Sequence, residues 1–199
     1  MKLYPELLEN LIEYFKKIPG IGEKTAERYA LALINFSDED LKMFSDSLNK
    51  IKSTLKKCKI CGHLTDSSTC YICSDSTRNQ NTICVVEDYK SVFMFEKTGK
   101  FSGVYHVLGG LISPIDGINP DDLNIGSLIS RCKNIKDGEL IIALKPTIEG
   151  DTTTMYLKKI MENYDIKVSR LSNGIPMGAD IDYLDILTLE RALSDRKEV

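Results

Sequence analysis

Residues 58–73 read Cys58-Lys59-Ile60-Cys61-Gly62-His63-Leu64-Thr65-Asp66-Ser67-Ser68-Thr69-Cys70-Tyr71-Ile72-Cys73, two CxxC pairs in the pattern C-x2-C-x8-C-x2-C. A CxxC turn can aim both thiolates at one ion, and two such turns supply the tetrahedral S4 shell that zinc prefers. Residues 1–20 lack a signal-peptide pattern, so the spacing predicts a metal site rather than disulfides. Four thiolates leave no open position for a substrate, which makes the expected ion a structural Zn²⁺, one per chain. The short spacer makes a small knuckle with little core of its own, and His63 inside it reads as a solvated loop residue. Cys84 and Cys132 stand alone in apolar contexts and read as small buried hydrophobes.

On the N-terminal side the pattern is helical. Pro5 suits a first helical position, and Leu7, Leu8, Leu11, Ile12 and Phe15 recur at three- and four-residue spacing. Ser37-Asp38-Glu39-Asp40 reads as an N-cap with acids in the first turn, followed by a one-face stripe of Leu41, Phe44, Leu48, Ile51 and Leu55. Between them, Pro19-Gly20-Ile21-Gly22 is a tight glycine turn entering a helix with Ala26, Tyr29, Ala30 and Leu33 inward. Two glycines there can expose consecutive N–H groups at a helix start, which suits a phosphate oxygen. Lys24 and Arg28, four apart, share a face and add charge. The alternative is an αα-hairpin that needs glycine for geometry alone. Lys50, Lys52, Lys56, Lys57 and Lys59 fall in a stretch, residues 47–65, without any acid. That cluster suits phosphate or is simply a solvated face.

On the C-terminal side, strand-length apolar runs at 83–87, 104–108, 140–144 and 167–171 alternate with helical stretches near 91–96, 122–133 and 152–164. This alternation predicts a parallel sheet with helices on its faces. A last helix is expected over 184–196, after a glycine-containing segment at 173–179. The predicted fold is therefore an α+β assembly of modules. A helical region spans 1–57, the four-cysteine unit 58–80, an α/β domain 81–176, and a C-terminal helical segment 177–199. Hydrophobic residues at 42% and charged residues at 28%, with a net charge of −3, fit a globular chain. No apolar run approaches the roughly 20 residues of a membrane span, so neither a secreted nor an integral-membrane protein is expected.

Three acids sit at predicted strand ends. Val85-Val86-Glu87-Asp88 closes the first strand, and Lys145-Pro146-Thr147-Ile148-Glu149-Gly150-Asp151 follows the third. Strand C-termini of a parallel sheet form the crevice where sites gather, so Glu87, Glu149 and Asp151 could converge on Mg²⁺. They could equally cap helices, Asp151 for one starting at Thr152.

These residues carry a resemblance. The segment around Gly20 and Gly22 resembles a helix-hairpin-helix, a module for sequence-independent backbone binding. A strand ending in Val85-Val86-Glu87-Asp88 with a later Glu149-Gly150-Asp151 resembles a Toprim domain. The order helix-hairpin-helix, four-cysteine zinc knuckle, Toprim is similar to the RecR family of bacterial recombination proteins. Tyr105-His106-Val107-Leu108-Gly109-Gly110, Ser113-Pro114-Ile115-Asp116-Gly117-Ile118 and Gly174-Ile175-Pro176-Met177-Gly178 fit as well. The resemblance implies a cytoplasmic, nucleoid-associated, non-catalytic mediator of DNA repair that works with RecO and RecF to help RecA replace single-strand-binding protein at gaps. It also implies a ring of four subunits enclosing single- or double-stranded DNA. Carried over by position, Gly20, Gly22, Lys24 and Arg28 would face DNA, Cys58, Cys61, Cys70 and Cys73 would bind zinc, and Glu87, Glu149 and Asp151 would form the face that meets RecO.

Two departures matter. Lys145 stands where related sequences commonly carry Asn, and Glu149-Gly150-Asp151 replaces the Asp-x-Asp of catalytic Toprim enzymes. A cation beside the acids competes with a metal. Both weigh against the alternative, a Mg²⁺-dependent Toprim nuclease or nucleotidyl-transfer enzyme. Tyr156 reads as a packed helix residue rather than a nucleophile.

Overall fold

Pro5, whose fixed φ suits a helix start, opens α1 (Glu6–Lys16), and its carbonyl accepts from the amides of Leu8 and Glu9. The apolar face of α1 closes on α2 (Glu23–Leu33). Ile12 is buried against Ala26 and Ala30, with Leu8, Leu11, Phe15 and Ile21 partly buried around them. Two alanines one turn apart let the helices approach closely, and Phe15 meets Tyr29 edge-on at 5.9 Å between centroids. Ser37 caps α3 (Asp38–Thr54), its Oγ accepting from the Asp40 amide at 3.1 Å. No residue of α3 is buried, and its apolar stripe faces outward, with Leu48 56% and Ile51 51% exposed. Periodicity defines an apolar face without supplying its partner.

These helices form one unit, Met1–Thr54, of the computed structural model, which describes residues 3–172 and 174–196; the second unit is Leu55–Val199. Asn173, within the predicted 173–179 segment, and residues 197–199 of the C-terminal segment lie outside the described residues.

The second unit opens with an antiparallel pair, β1 (Lys56–Lys57) and β2 (Leu64–Thr65), and a short helix, α4 (Tyr71–Ser74). Then come β3 (Asn79–Val86), α5 (Tyr89–Lys97), β4 (Gly103–Val107), α6 (Ile125–Cys132), β5 (Gly138–Ala143), α7 (Ile148–Met161), β6 (Ile166–Arg170) and α8 (Ile186–Ser194). The sheet order is β4-β3-β5-β6 and every pairing is parallel, as the alternating runs predict. Ile83, Val85, Val86, Val104, Tyr105, Leu140 and Ile142 form its core with Leu128 and Leu157 from the helices. Cys84 and Cys132 are buried there as the sequence suggests.

Several element boundaries differ from expectation; the strand expected from 83 begins at Asn79 and the helix expected from 91 begins at Tyr89. The helix expected from 122 begins at Ile125, because Pro120–Asp122 forms a separate 3-10 turn. The helix expected from 152 begins at Ile148, because Thr147 caps it, its Oγ1 accepting from the Gly150 amide at 3.2 Å. Asp151 is therefore inside the first turn and not at the cap. The last helix is shorter than expected, starting where Asp185 accepts from the Thr188 amide.

The knuckle has little core of its own and shares that of the sheet. Cys58, Cys61, Cys70 and Ile72 belong to the same buried cluster as β3 and β4, and the Val107 amide donates to the Cys61 carbonyl at 2.7 Å. Behind it, Arg78 donates to Glu96 at 3.0 Å and to the Gly103 carbonyl at 3.1 Å, and the Tyr105 hydroxyl donates to Glu96 at 2.8 Å. This joins the chain leaving the knuckle to α5 and β4.

His106 on β4 is fully buried. Arg131 donates to its Nδ1 at 3.1 Å, so Nε2 carries the proton and donates to the Asn124 carbonyl at 2.7 Å. Burial, with the neighbouring Arg131 charge, pushes its pKa down to about 4. The folded chain thus binds this proton less readily than the unfolded chain. The resulting stability is complete above the ordinary histidine pKa and is lost as pH falls toward 4, at most about 3 kcal/mol. Urea unfolding midpoints should drop between pH 7 and pH 4.5, and His106→Asn should flatten that drop; an equal drop in both proteins would contradict the assignment.

Candidate metal centre and nucleic-acid interface

The four sulfur atoms of Cys58, Cys61, Cys70 and Cys73 all lie within 4.8 Å of one another. β1 and the turn after it present the first pair, and α4 presents the second. The Cys70 amide donates to Cys58 Sγ at 3.3 Å and the His63 amide to Cys61 Sγ at 3.4 Å, which orients the sulfurs inward. Hydrogen bonds from Cys61 and Cys73 hold the Cys70 thiol ionised well below its usual range. The Cys61 thiol is driven strongly upward by its hydrogen bonds to Cys70 and Cys73 and by burial. Four thiols this close cannot all ionise without a cation between them, and the all-sulfur donor set at this spacing fits zinc. Bound zinc would draw all four thiolates into one tetrahedral shell of net charge −2, which the Cys70 and His63 amides donating to sulfur help to offset.

His63 is not solvated. It is fully buried, edge-to-face with Phe93 at 4.8 Å and with Tyr71 at 6.5 Å between centroids, and neither ring nitrogen has a partner among the described residues. Its ring wedges the knuckle against α5. Nothing local marks it, because the aromatic that covers it lies thirty residues on in sequence at Phe93.

In the first unit, Gly20 takes φ +85°, a left-handed conformation, and lets the Ile21 amide close the turn on the Ile18 carbonyl at 3.1 Å. Gly22 is the N-cap of α2 and offers no side-chain acceptor; its carbonyl accepts from the Thr25 amide at 3.1 Å, which leaves the Glu23 and Lys24 amides uncapped among the described residues. Lys24 and Arg28 are exposed and have no ion-pair partner among the described residues; Arg28 lies 5.4 Å from the Tyr29 ring centroid. Gly20, Gly22 and Lys24 thus lie at the start of α2, and Arg28 lies one turn beyond Lys24, at the middle of the helix.

The three acids of the sheet edge are placed differently from one another. Glu87 follows β3 and is paired with Lys145 at 3.0 Å. Asp151, in the first turn of α7, is paired with Arg170 at 3.2 Å and with Arg191 of α8 at 3.0 Å. Arg191 also donates to the Pro146 carbonyl at 2.9 Å, and Arg170 lies 3.6 Å from Asp195. Glu149 is half-buried and its carboxylate has no partner among the described residues. Among those residues the cysteines form the one group of three or more potential ligands close enough to hold an ion. Between the acids, Gly150 packs directly on the Lys145 carbonyl, where a Cβ would overlap it. Arg170 and Arg191 were not legible as partners of Asp151, since they stand 19 and 40 residues away. Tyr156 on α7 is 37% exposed rather than packed.

A two-helix hairpin, a four-cysteine knuckle and a four-stranded parallel α/β unit in series define a helix-hairpin-helix, zinc-finger and Toprim protein. Family models match this division: the RecR helix-hairpin-helix over residues 8–52, the RecR four-cysteine zinc finger domain over 55–75, the Toprim domain over 81–172, and the RecR C-terminal region over 174–197. The chain is 45% identical over 196 residues to recombination protein RecR of Staphylococcus aureus strain Newman, and equally to that of strain MRSA252, covering 98% of this chain and 99% of each relative. The chain belongs to the RecR family. No helix among the described residues is long and apolar enough to cross a membrane.

The zinc shell has a direct test. One equivalent of zinc per chain should be released by a thiol-blocking mercurial, and Cys61→Ser should lower that content. Chelation should lower the melting temperature of the α/β unit, because the knuckle contributes to its core and metal binding is worth on the order of 10 kcal/mol. An unchanged melting curve after verified zinc loss would refute the shared-core account.

Proposed function

We propose that this chain is a non-catalytic, DNA-binding clamp and mediator of recombinational repair, acting in the cytoplasm with RecO and RecF to help load RecA at single-strand gaps. The observation that carries the reading is the uncapped start of α2 beside unpaired Lys24 and Arg28, in a chain aligned over nearly its whole length with recombination proteins. Uncapped amides and two cations are suited to phosphate, which every DNA sequence presents, so binding is sequence-independent. Gly20 and Gly22 shape that turn. Residues 1–57 supply the DNA contact, 58–80 the zinc brace, 81–176 the docking domain and 177–199 part of the assembly contact.

Within the docking domain, Glu149 is the acid most available to a partner, because Glu87 and Asp151 already hold cations. The same pairing supports a non-enzymatic role. Lys145 and two arginines occupy the carboxylates that a Mg²⁺ site would use, and the nuclease reading draws no support from this geometry. Assembly as a ring of four is supported by apolar surface at both ends of the chain: the outward stripe of α3, and Ile186, Leu187 and Leu193 of α8, which are 75%, 68% and 66% exposed.

Fluorescence anisotropy of a gapped duplex at several salt concentrations tests the clamp. Each phosphate neutralised on duplex adds about −0.9 to the slope of log K against log salt, so Lys24→Ala/Arg28→Ala should flatten the slope by about 1.8. An unchanged slope would remove the hairpin from the interface. For docking, Glu149→Ala should reduce RecO recovered in a pull-down while leaving the melting temperature unchanged; full recovery would take Glu149 out of that contact.

A further inference from the structure

A second feature of the α/β unit is absorbed neither by the zinc shell nor by the acidic edge. A cavity of about 570 Å³ opens between the knuckle and the carboxyl ends of β3 and β4. Lys57 and Lys59 line it from the knuckle side, and Asp88, Tyr89, Gly109 and Asp122 from the side of the sheet. Its volume lies in the range of small-molecule sites, large enough for one nucleotide.

The charges on the two sides of the cavity are held differently, the carboxylates by backbone amides and the lysines by no partner among the described residues. Asp88 caps α5, accepting from the Lys90 amide at 2.8 Å and the Ser91 amide at 3.1 Å, and Asp122 accepts from the Asn119 amide at 2.8 Å. Lys57 and Lys59 have no ion pair or hydrogen bond from their side chains among the described residues, although two carboxylates line the same cavity. Tyr89 is 39% exposed, although it belongs to a helix packed on the core. Two free cations with an accessible aromatic at a concave site are the elements that hold a single nucleic-acid strand: charge tracks the phosphates and the ring stacks on a base.

We propose that this cavity binds one nucleotide unit of single-stranded DNA, with Lys57 and Lys59 on its phosphates and Tyr89 stacked on its base. The site is separate from the hairpin and discriminates between strands, since a paired base is not free to stack on Tyr89. The proposal rests on the DNA-binding reading above, but uses none of the hairpin residues.

The test uses the full-length zinc-loaded chain and a fluorescent twelve-nucleotide oligo-dT, with a duplex of the same length as control. Tyr89→Leu should weaken oligo-dT binding about tenfold and leave duplex binding unchanged, as expected for loss of one stacked base. Lys57→Ala/Lys59→Ala should make the oligo-dT salt slope shallower by about 1.4, from two phosphates at about 0.7 each. Independently of any variant, 5-iodo-deoxyuridine in the oligonucleotide should photocross-link wild-type chain at the peptide containing Tyr89. Oligo-dT affinity and slope unaltered in both variants, with loss in Lys24→Ala/Arg28→Ala, would overturn the cavity site and leave the hairpin standing. Loss in the cavity variants alone would support the site while removing the hairpin. Equal loss of duplex and oligo-dT in Tyr89→Leu would overturn the stacking assignment. ATP binding that depends on Lys57 and Lys59, with oligo-dT binding unaltered in their absence, would assign the cavity to a free nucleotide and overturn the strand proposal.

Discussion

Four thiols within 4.8 Å of one another set the constraint on which the second unit depends. Without a dication they compete for protons; with one they become a closed shell that fixes two turns and a short helix at once. Those turns contribute Cys58, Cys61 and Cys70 to the same buried cluster as β3 and β4, so the metal holds part of the core of the α/β unit. The hydrogen bond from the Val107 amide to the Cys61 carbonyl and the buried ring of His63 against Phe93 carry this bracing into the sheet and α5. His63 tolerates two unpartnered nitrogens among the described residues because its ring serves as an aromatic wedge.

The carboxyl edge of the sheet shows a different logic. Parallel strands end together, so side chains distant in sequence meet there, and this chain fills the edge with opposed charges. Glu87 meets Lys145, while Asp151 meets Arg170 from β6 and Arg191 from α8. Part-exposed pairs of this kind contribute about 0–1 kcal/mol each, too little to lock the edge but enough to orient it. Their chemical effect is larger: acids that already hold cations are poor metal ligands, and Glu149 is left as the available charge. The pair with Arg191 also ties α8 to the acidic edge of the sheet.

Much of this was legible in the sequence where the signal is local. The CxxC turns, the positive-φ glycine before α2, the Ser37 cap and the alternation of apolar runs with helical stretches each depend on a few neighbouring residues. The start of α7 was legible in principle, since Thr147 is a good cap three residues before Gly150, but the apolar pattern drew the boundary too late. The burial of His63 and the partners of Asp151 were not legible, because each depends on residues brought together from 19 to 40 positions away.

The sequence by itself determined the order of modules, the ligands of the metal shell and the parallel character of the sheet, because turn geometry, thiolate chemistry and strand-length apolar runs act over short spans. Tertiary structure decided which charges remain free. Glu149 is available and Glu87 and Asp151 are not, and Lys57 and Lys59 border a cavity with no carboxylate paired to them. Coulombic pairing depends on distance in space, which a linear sequence fixes only after the sheet has brought its strand ends together.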